Sequence, residues 1–247
     1  MSAAPTDFTS RFSAGTPYSY LCHRCRNCCH HKLIQVNPYE AARLARNRGV
    51  STTAFIRDYL ENSVYLRRRE DEGGACVFLG PQGCTVHPDR PLVCRVYPLG
   101  RHVEASGAVT YSHLEPHPLT QGVYDRAGTV AEFLAQQDVA DFVAAADRYL
   151  AILQKLYSAW RQAPEMPDAG ETVPAASDDE MPDPMDLDRA VANFCATCGI
   201  AEPTDIEERM RLHIEAITRW LEKQSGGRAP PQSEESEAPQ ANPQDGS

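Results

Sequence analysis

Hydrophobic residues recur at helical spacing near the start of the chain. Asn37 and the proline after it have the composition of a helix N-terminus, and Gly49 marks the end of that helix. Ser51 is placed to cap a second helix that would bury Phe55 and Leu60. The pattern therefore predicts two short helices in succession.

A longer helical pattern occupies the middle of the chain. Thr129 and Glu132 have the spacing of a capping box, and apolar residues then recur at helical intervals as far as Arg161. Asp138 could cap a fresh helix. We therefore predict either one long helix or two helices with a break near that residue.

The stretch between these helices consists of short β-prone pieces interrupted by glycine and proline. We expect Cys76–Leu79, Val93–Tyr97 and Val109–Tyr111 to be strand or loop fragments, because each is too short to build a large sheet. The predicted fold class is α+β, mostly helical, with a small cysteine-cluster domain that binds metal.

The C-terminal part combines one further helical pattern with segments of low apolar content. Many prolines and acidic residues predict a flexible linker, and an apolar stripe from Ile206 to Leu221 predicts a helical hairpin. That stripe is either core or a docking face for a protein partner. We divide the chain into a flexible N-terminus (1–17), the cysteine-cluster domain (18–162), the linker (163–184), the hairpin (185–224) and a disordered tail (225–247).

Charge is distributed unevenly along the chain. The 247 residues carry a net charge of −10, and the excess lies after Ala163, where 19 acidic residues accompany 6 basic ones. An acidic third repels phosphate backbones, so we expect no nucleic acid partner. No apolar run approaches the roughly 20 residues that span a bilayer, and the opening residues do not resemble a signal peptide. We therefore expect no membrane association and a cytoplasmic location.

Nine cysteines are poorly explained by disulfides, which are rare in reducing compartments and cannot pair an odd number of thiols within one chain. Four of them lie within eight residues, Cys22-His-Arg-Cys25-Arg-Asn-Cys28-Cys29. Two-residue gaps are used both by tetrahedral thiolate sites and by cubane 4Fe–4S clusters. Adjacent side chains diverge, so we expect that one metal centre does not take all four thiols. Either at least one ligand of this centre comes from elsewhere in the chain, or the protein has two metal centres.

Three more cysteines, Cys76, Cys84 and Cys94, lie in a second segment. Their gaps of seven and nine residues are wider than the two to four of a zinc ribbon, whereas iron–sulfur clusters tolerate a remote fourth thiolate. Cys94 could complete the three-cysteine loop of the first segment. The spacing favours iron, as an iron–sulfur cluster or another iron site. Zinc is the main alternative, and reduced cysteines without metal are the third.

The two segments together resemble the cysteine-cluster family named after its CxxCxxCC motif, to which zinc or iron chelation is attributed. The resemblance covers roughly residues 20–115 and includes Cys76-Val-Phe-Leu79, an Arg90-Pro pair and Cys94-Arg-Val-Tyr-Pro98. The family often has glycine where this chain has Arg26 and Asn27. The metal ligands implied by the resemblance are Cys22, Cys25, Cys28, Cys29, Cys76, Cys84 and Cys94.

Bacterial flagellin lysine N-methylases are related to this family. The relationship implies a candidate activity, the iron–sulfur-dependent transfer of a methyl group from S-adenosylmethionine to lysines of a protein substrate. Glycine-rich loops typical of Rossmann methyltransferases are missing from the sequence. The resemblance is therefore the basis for this activity.

Charged residues near the cysteines have two interpretations each. Arg90 and Arg95 flank Cys94 and could bind the cofactor, by donating to cluster sulfurs, neutralising its charge or holding an anionic cosubstrate. They could equally form ordinary salt bridges. Four histidines near the cysteines are candidate substitute ligands, although each is more typical of a surface position or a support for a ligand. These are His23, His30, His31 and His87.

A second CxxC, Cys195-Ala-Thr-Cys198, lies outside the resemblance, and packing or free thiols explain it better than a zinc half-site or transient pairing. Sequence signatures of phosphate-binding loops, serine hydrolases and zinc proteases are missing. Two functional classes stay open. One is a reactive iron centre for redox chemistry or methyl transfer, and the other is a zinc-binding structural or interaction module without catalysis.

Overall fold

The computed structural model describes residues 7–23, 25–124, 127–161 and 181–226. Within these ranges the helices are α1 (Pro38–Arg48), α2 (Thr52–Tyr59), α3 (Leu92–Val96), α4 (Val130–Ala135), α5 (Ala140–Arg161), α6 (Leu187–Cys198) and α7 (Ile206–Gly226). The strands are β1 (Leu60–Glu61), β2 (Tyr65–Leu66), β3 (Arg68–Arg69), β4 (Ala75–Cys76), β5 (Leu79–Gly80), β6 (Gly83–Cys84), β7 (Leu99–Val103) and β8 (Val109–His113). Short 3-10 turns occupy Asn27–Cys29, Glu70–Glu72 and His87–Asp89.

The strands form four antiparallel pairs, each of consecutive strands. Six of the strands have two residues each, and only β7 and β8 are longer, with Leu99 opposite His113. The N-terminal segment runs along the outer side of β8, where the backbones of Phe12 and Tyr111 exchange two hydrogen bonds of 2.9 Å. These small pairs and the long helices confirm the predicted α+β, mostly helical fold class.

The helix ends follow the predicted sequence signals. Asn37 and Glu40 form a capping box at the start of α1, and Gly49 ends the helix with a φ of 69°, in the left-handed region that glycine favours. The Ser51 side chain accepts from the backbone of Ala54 at the start of α2. Both predicted helices are confirmed.

The middle of the chain contains two helices rather than one. Thr129 and Glu132 form the predicted capping box of α4. The chain breaks before α5 at Asp138, whose φ of 50° places it in the left-handed region. The predicted break is therefore confirmed, and α5 then continues for 22 residues to Arg161.

The prediction of a β-prone piece at Val93–Tyr97 is wrong, because this segment contains α3. The buried carboxylate of Glu40 accepts a hydrogen bond from the Leu92 amide at 2.6 Å, and the Cys94 amide donates to the Pro91 carbonyl at 2.9 Å. Glu40, 52 positions earlier in the sequence, thus provides the hydrogen-bond acceptor for the first backbone amide of α3. Local β propensity gives way to this tertiary contact.

Two main hydrophobic clusters lie on either side of α1. The larger one joins α1, α3, α4, α5, α6 and α7 around residues such as Tyr39 and Leu187, which are fully buried. The second lies between α1, α2 and the small hairpins, around Leu44 and Phe55. Helix α1 therefore connects the cysteine segments to the long helices.

The predicted hairpin of α6 and α7 packs against α1, α2 and α5. A buried aspartate, Asp186, caps α6 and also accepts hydrogen bonds from the hydroxyls of Thr52 and Thr53 in α2. The predicted linker lies outside the described residues as far as residue 180, and so does the predicted tail beyond Gly226. The division into five units stays a prediction. None of the described helices combines the length and the apolar character that a bilayer crossing requires.

Candidate metal centre

The first cysteine segment is held in place by backbone pairing at its two ends. Leu21 and Val123 exchange backbone hydrogen bonds of 2.9 and 3.2 Å immediately before Cys22. At the other end the His31 amide donates to the carbonyl of Gly74 at 3.0 Å. A side chain at Gly74 would approach the His31 ring to 2.9 Å, so this contact requires glycine.

The loop between these ends contains the turn that presents Cys28 and Cys29. Arg26 has a φ of 70°, in the left-handed region that glycine adopts most readily. Its guanidinium donates to the carbonyl of Pro81, and the Asn27 amide donates to the carbonyl of Leu119, each at 2.6 Å. Side-chain bonds to neighbouring segments therefore support the turn.

The other three cysteines come from three different local structures. Cys76 lies on β4, Cys84 lies on β6 opposite Leu79, and Cys94 lies in the middle of α3. Because Glu40 caps α3, the position of Cys94 depends on α1. The fold thus brings together thiols that are far apart in the sequence.

All seven predicted ligands line one cavity of about 210 Å³. The same cavity is lined by Lys32, Arg90 and His87 and by the aromatic side chains of Tyr20, Tyr97 and Phe133. The structure therefore places every predicted metal ligand around one space, together with four basic side chains, those of Arg26, Lys32, Arg90 and Arg95.

The Cys28 and Cys29 thiols are hydrogen-bonded to each other. Because the two thiols share this bond, the pKa of one, Cys28, is lowered and the pKa of the other, Cys29, is raised. The structure differs here from the expected divergence of adjacent side chains, because the two cysteines lie in a tight 3-10 turn rather than in a strand or an α-helix. Whether one centre takes all four loop thiols stays a prediction.

The remaining thiols differ in how readily they lose a proton. Burial raises the pKa of Cys76, Cys84 and Cys94. Burial acts in the same direction on Cys25, but hydrogen bonds, first among them one from the backbone of Gln121, outweigh it and lower the pKa of this thiol. A metal cation would favour the thiolate form of all of them, because metal binding displaces the thiol proton.

The two arginines that flank Cys94 have different surroundings. Arg95 is buried, and its guanidinium donates to the backbone carbonyls of Pro88, Arg90 and Gln137 while it packs on the ring of Phe142. Its hydrogen-bonding capacity is largely used within the fold. Arg90 also donates to the side chain of Gln137, but its charge faces the thiols of the cavity. Their roles toward a cofactor stay a prediction.

No group of three or more histidine, cysteine or acidic side chains in the described part of the chain has the geometry of a single metal-ion site. The thiols surround the cavity instead of converging on one point. Seven cysteines around one cavity nevertheless fit iron or zinc by the chemistry of the donor set, since thiolates are the ligands preferred by zinc and by iron–sulfur clusters.

The other residues singled out in the sequence lie in different places. Of the four histidines, His87 lines the cavity, whereas the lining does not include His23, His30 or His31. In α6, Cys195 is buried in the larger core cluster, and Cys198 is exposed near the Arg219 guanidinium. Neither cysteine of this second CxxC lines the seven-thiol cavity.

Three contributors to the site were missed in the sequence. Lys32 follows the cysteine loop, Tyr97 follows α3, and Glu40 belongs to a capping box that looked purely local. A buried carboxylate has no separate sequence signal, and burial raises the pKa of Glu40 to about 7. The sequence shows that Lys32 lies three residues after Cys29, but its contact with the ring of Tyr97 depends on the fold.

Comparison with known proteins agrees with this geometry. Residues 21–112 match the model of the CxxCxxCC family, described as "Putative zinc- or iron-chelating domain". Neither the curated proteins nor the solved structures include a match to the chain. The match spans both cysteine segments and every thiol of the cavity. The resemblance to the CxxCxxCC family is therefore confirmed over residues 21–112.

Proposed function

We propose that this protein holds iron in the seven-thiol cavity, as an iron–sulfur cluster that transfers electrons. The single observation that carries the proposal is the enclosure of one cavity by all seven cysteines of the family match. A purely structural arrangement of reduced thiols would not require the fold to collect them from the loop of the first segment and from β4, β6 and α3 of the second.

The size of the cavity favours a cluster over a single ion. Its volume of about 210 Å³ is several times the roughly 30 Å³ that one water molecule occupies in the liquid. A polynuclear group with its own inorganic sulfide needs more room, and can use more of the seven thiols, than one tetrahedral zinc ion.

We propose Cys22, Cys25, Cys28 and Cys94 as the ligands. The first three are spaced as in ferredoxin loops, and Cys94 provides the remote fourth thiolate from α3. The other three thiols of the cavity would then line the cluster or provide a second set of ligands.

Methyl transfer to protein lysines is a further possibility that rests on the relationship to flagellin methylases. It would use the same centre together with S-adenosylmethionine. We place it second, because it adds a cosubstrate and a protein substrate to the proposed centre. A zinc-binding module without catalysis is the alternative to both.

The test is anaerobic purification followed by measurement of iron, zinc and acid-labile sulfide per chain, together with the visible spectrum. We expect iron and sulfide in matching amounts and the broad visible absorption of thiolate-ligated iron. Cys94→Ser should lose most of this iron. Cys198→Ser is the matched control, because Cys198 is exposed on α6 and outside the cavity, and it should keep the iron. A colourless protein with stoichiometric zinc would contradict the iron proposal.

A further inference from the structure

Lys32 is a basic residue of the cavity with an unusual set of neighbours. It follows Cys29 by three positions, lines the same cavity, and holds its ammonium nitrogen 3.2 Å from the centre of the Tyr97 ring. Burial lowers the pKa of Lys32, and the thiols of Cys28, Cys94 and Cys29, which line the same cavity, act in the opposite direction. The charged form of this lysine would therefore be favoured further by thiolates bound to a metal.

Tyr97 is well suited to fix this ammonium group. It comes directly after α3, the helix that carries Cys94, and its hydroxyl accepts a hydrogen bond from the backbone of His117 at 2.8 Å. The tyrosine ring therefore has a defined orientation. An ammonium over an aromatic face is attracted by the negative face of the ring, and more strongly where water is partly excluded. The contact joins the first cysteine segment to the second.

A loaded thiolate centre needs a positive neighbour in this position. A divalent ion bound by four thiolates has a net charge of about −2, and a buried charge without compensation is costly. Of the four basic side chains that line the cavity, Arg26 and Arg95 donate to backbone carbonyls of other segments, which leaves Lys32 and Arg90 as the basic groups whose charge acts on the thiols. Arg90 itself donates to the carbonyl of His87. Of these two, Lys32 is the one held by an aromatic ring of the cavity.

We propose that Lys32, held on the ring of Tyr97, is a positioning residue that balances the negative charge of the metal–thiolate centre and so retains the metal. The inference rests on the proposed metal-binding function but not on the choice between iron and zinc. Lys32 acts through its charge and its place on the ring, and it is not a ligand.

The experiment measures the metal retained by the purified, loaded protein against increasing concentrations of a chelator. Lys32→Met keeps the length of the side chain and removes its charge, and we expect metal retention to fall by about tenfold or more, the usual cost of losing a residue that supports metal ligands. Lys32→Arg keeps the charge and should stay near the wild type. Lys155→Met is the matched control, since Lys155 is exposed on α5.

The tyrosine is tested in the same assay. Tyr97→Phe keeps the ring but loses the hydroxyl that orients it, so it should retain more metal than Tyr97→Leu, which should weaken retention in the same direction as Lys32→Met. The double variant Lys32→Met/Tyr97→Leu should be little worse than Lys32→Met, because the two residues form one unit. Far-ultraviolet circular dichroism of each variant checks that the helices remain formed.

The outcomes separate the two proposals. A wild-type protein that neither contains metal nor takes it up overturns the proposed function itself. A loaded wild type whose Lys32→Met variant retains metal within twofold overturns only the role of Lys32. A Lys32→Arg variant as weak as Lys32→Met also overturns it, because that result indicates a requirement for the shape of lysine rather than for its charge.

Discussion

The cysteine region, residues 21–112, and the helical region, formed by α5, α6 and α7, are built in opposite ways. Besides α1, α2, α3 and the longer pair of β7 and β8, the cysteine region contains β1–β6, each of two residues, and its thiols face a cavity. The helical region contains two helices of more than 20 residues, whose apolar stripes meet in continuous clusters. One region relies on contacts between distant segments, and the other on long regular elements.

This difference has consequences for stability. Two-residue strand pairs contribute few hydrogen bonds to the stability of the cysteine region. Binding free energy from a metal would then be folding free energy for the cysteine region. The helical region buries aliphatic side chains such as Leu187 and Ile217 completely and needs no such addition. We therefore expect the two regions to respond differently to the same treatment.

Removal of the metal should give the largest difference between the hydrogen-exchange protection of the two regions. Chelation under reducing conditions should lower the amide hydrogen-exchange protection of the small hairpins β1–β6 by about 100-fold or more, because the binding free energy of the metal is lost there. Amides in the centre of α7 should change by less than about threefold. Mass spectrometry of peptides from both regions measures the two effects together. Equal loss of protection in both regions would contradict the comparison.

A large-to-small substitution in the core of the helical region should lower the stability of the protein without changing its metal content. Ile217 lies on α7, is 1% exposed, and packs against α5. Ile217→Ala should lower the free energy of unfolding by about 3 kcal/mol, because buried surface is lost and a cavity remains. Metal content per folded chain should stay unchanged. Urea unfolding measures the first quantity and elemental analysis the second.

The control for this variant is Leu153→Ala on the exposed side of α5. Leu153 is 56% exposed, so its removal should change the unfolding free energy by less than about 0.5 kcal/mol. An Ile217→Ala protein that loses its metal while its helices remain formed would show that the two regions are more tightly coupled than we infer.

A smaller effect should follow from pH through His213 in the helical region. This buried side chain lies 2.9 Å from the Tyr149 hydroxyl and 2.9 Å from the carbonyl oxygen of Asp183. A carbonyl only accepts, so the Nε2 atom donates to it and the Nδ1 atom accepts from Tyr149. Burial lowers the pKa of His213, although the nearby carboxylates of Asp183 and Asp186 oppose that shift.

Because the folded pKa of His213 is depressed, the unfolded chain takes up a proton first as the pH falls below about 6.5. Through this histidine, the free energy of unfolding should fall by about 1 kcal/mol when the pH is lowered from 7.5 to 5.5. Urea unfolding at both pH values, compared between the wild type and His213→Gln, isolates the contribution. An equal pH dependence in the two proteins would show that other groups are responsible.

The helices were predictable from the sequence because their determinants are local. Capping residues such as Thr129 and Glu132 lie within one turn of each other, and apolar stripes report which face is buried. The same locality explains the failure at α3, where valines favour a strand and the decisive contact is the bond from Leu92 to Glu40. Secondary structure that depends on a distant carboxylate leaves no pattern in a short window.

The sequence by itself determined the donor atoms of the candidate site, since the seven cysteines and their spacing match a domain described as zinc- or iron-chelating. Only the tertiary structure decided that all seven thiols surround one cavity and that those of Cys28 and Cys29 are in contact. It also decided that Arg95 donates to backbone carbonyls and that Lys32 lies over the ring of Tyr97. The physical reason is that residue types set which atoms can bind a metal, whereas distances between them depend on how helix α1, the small hairpins and α3 pack together.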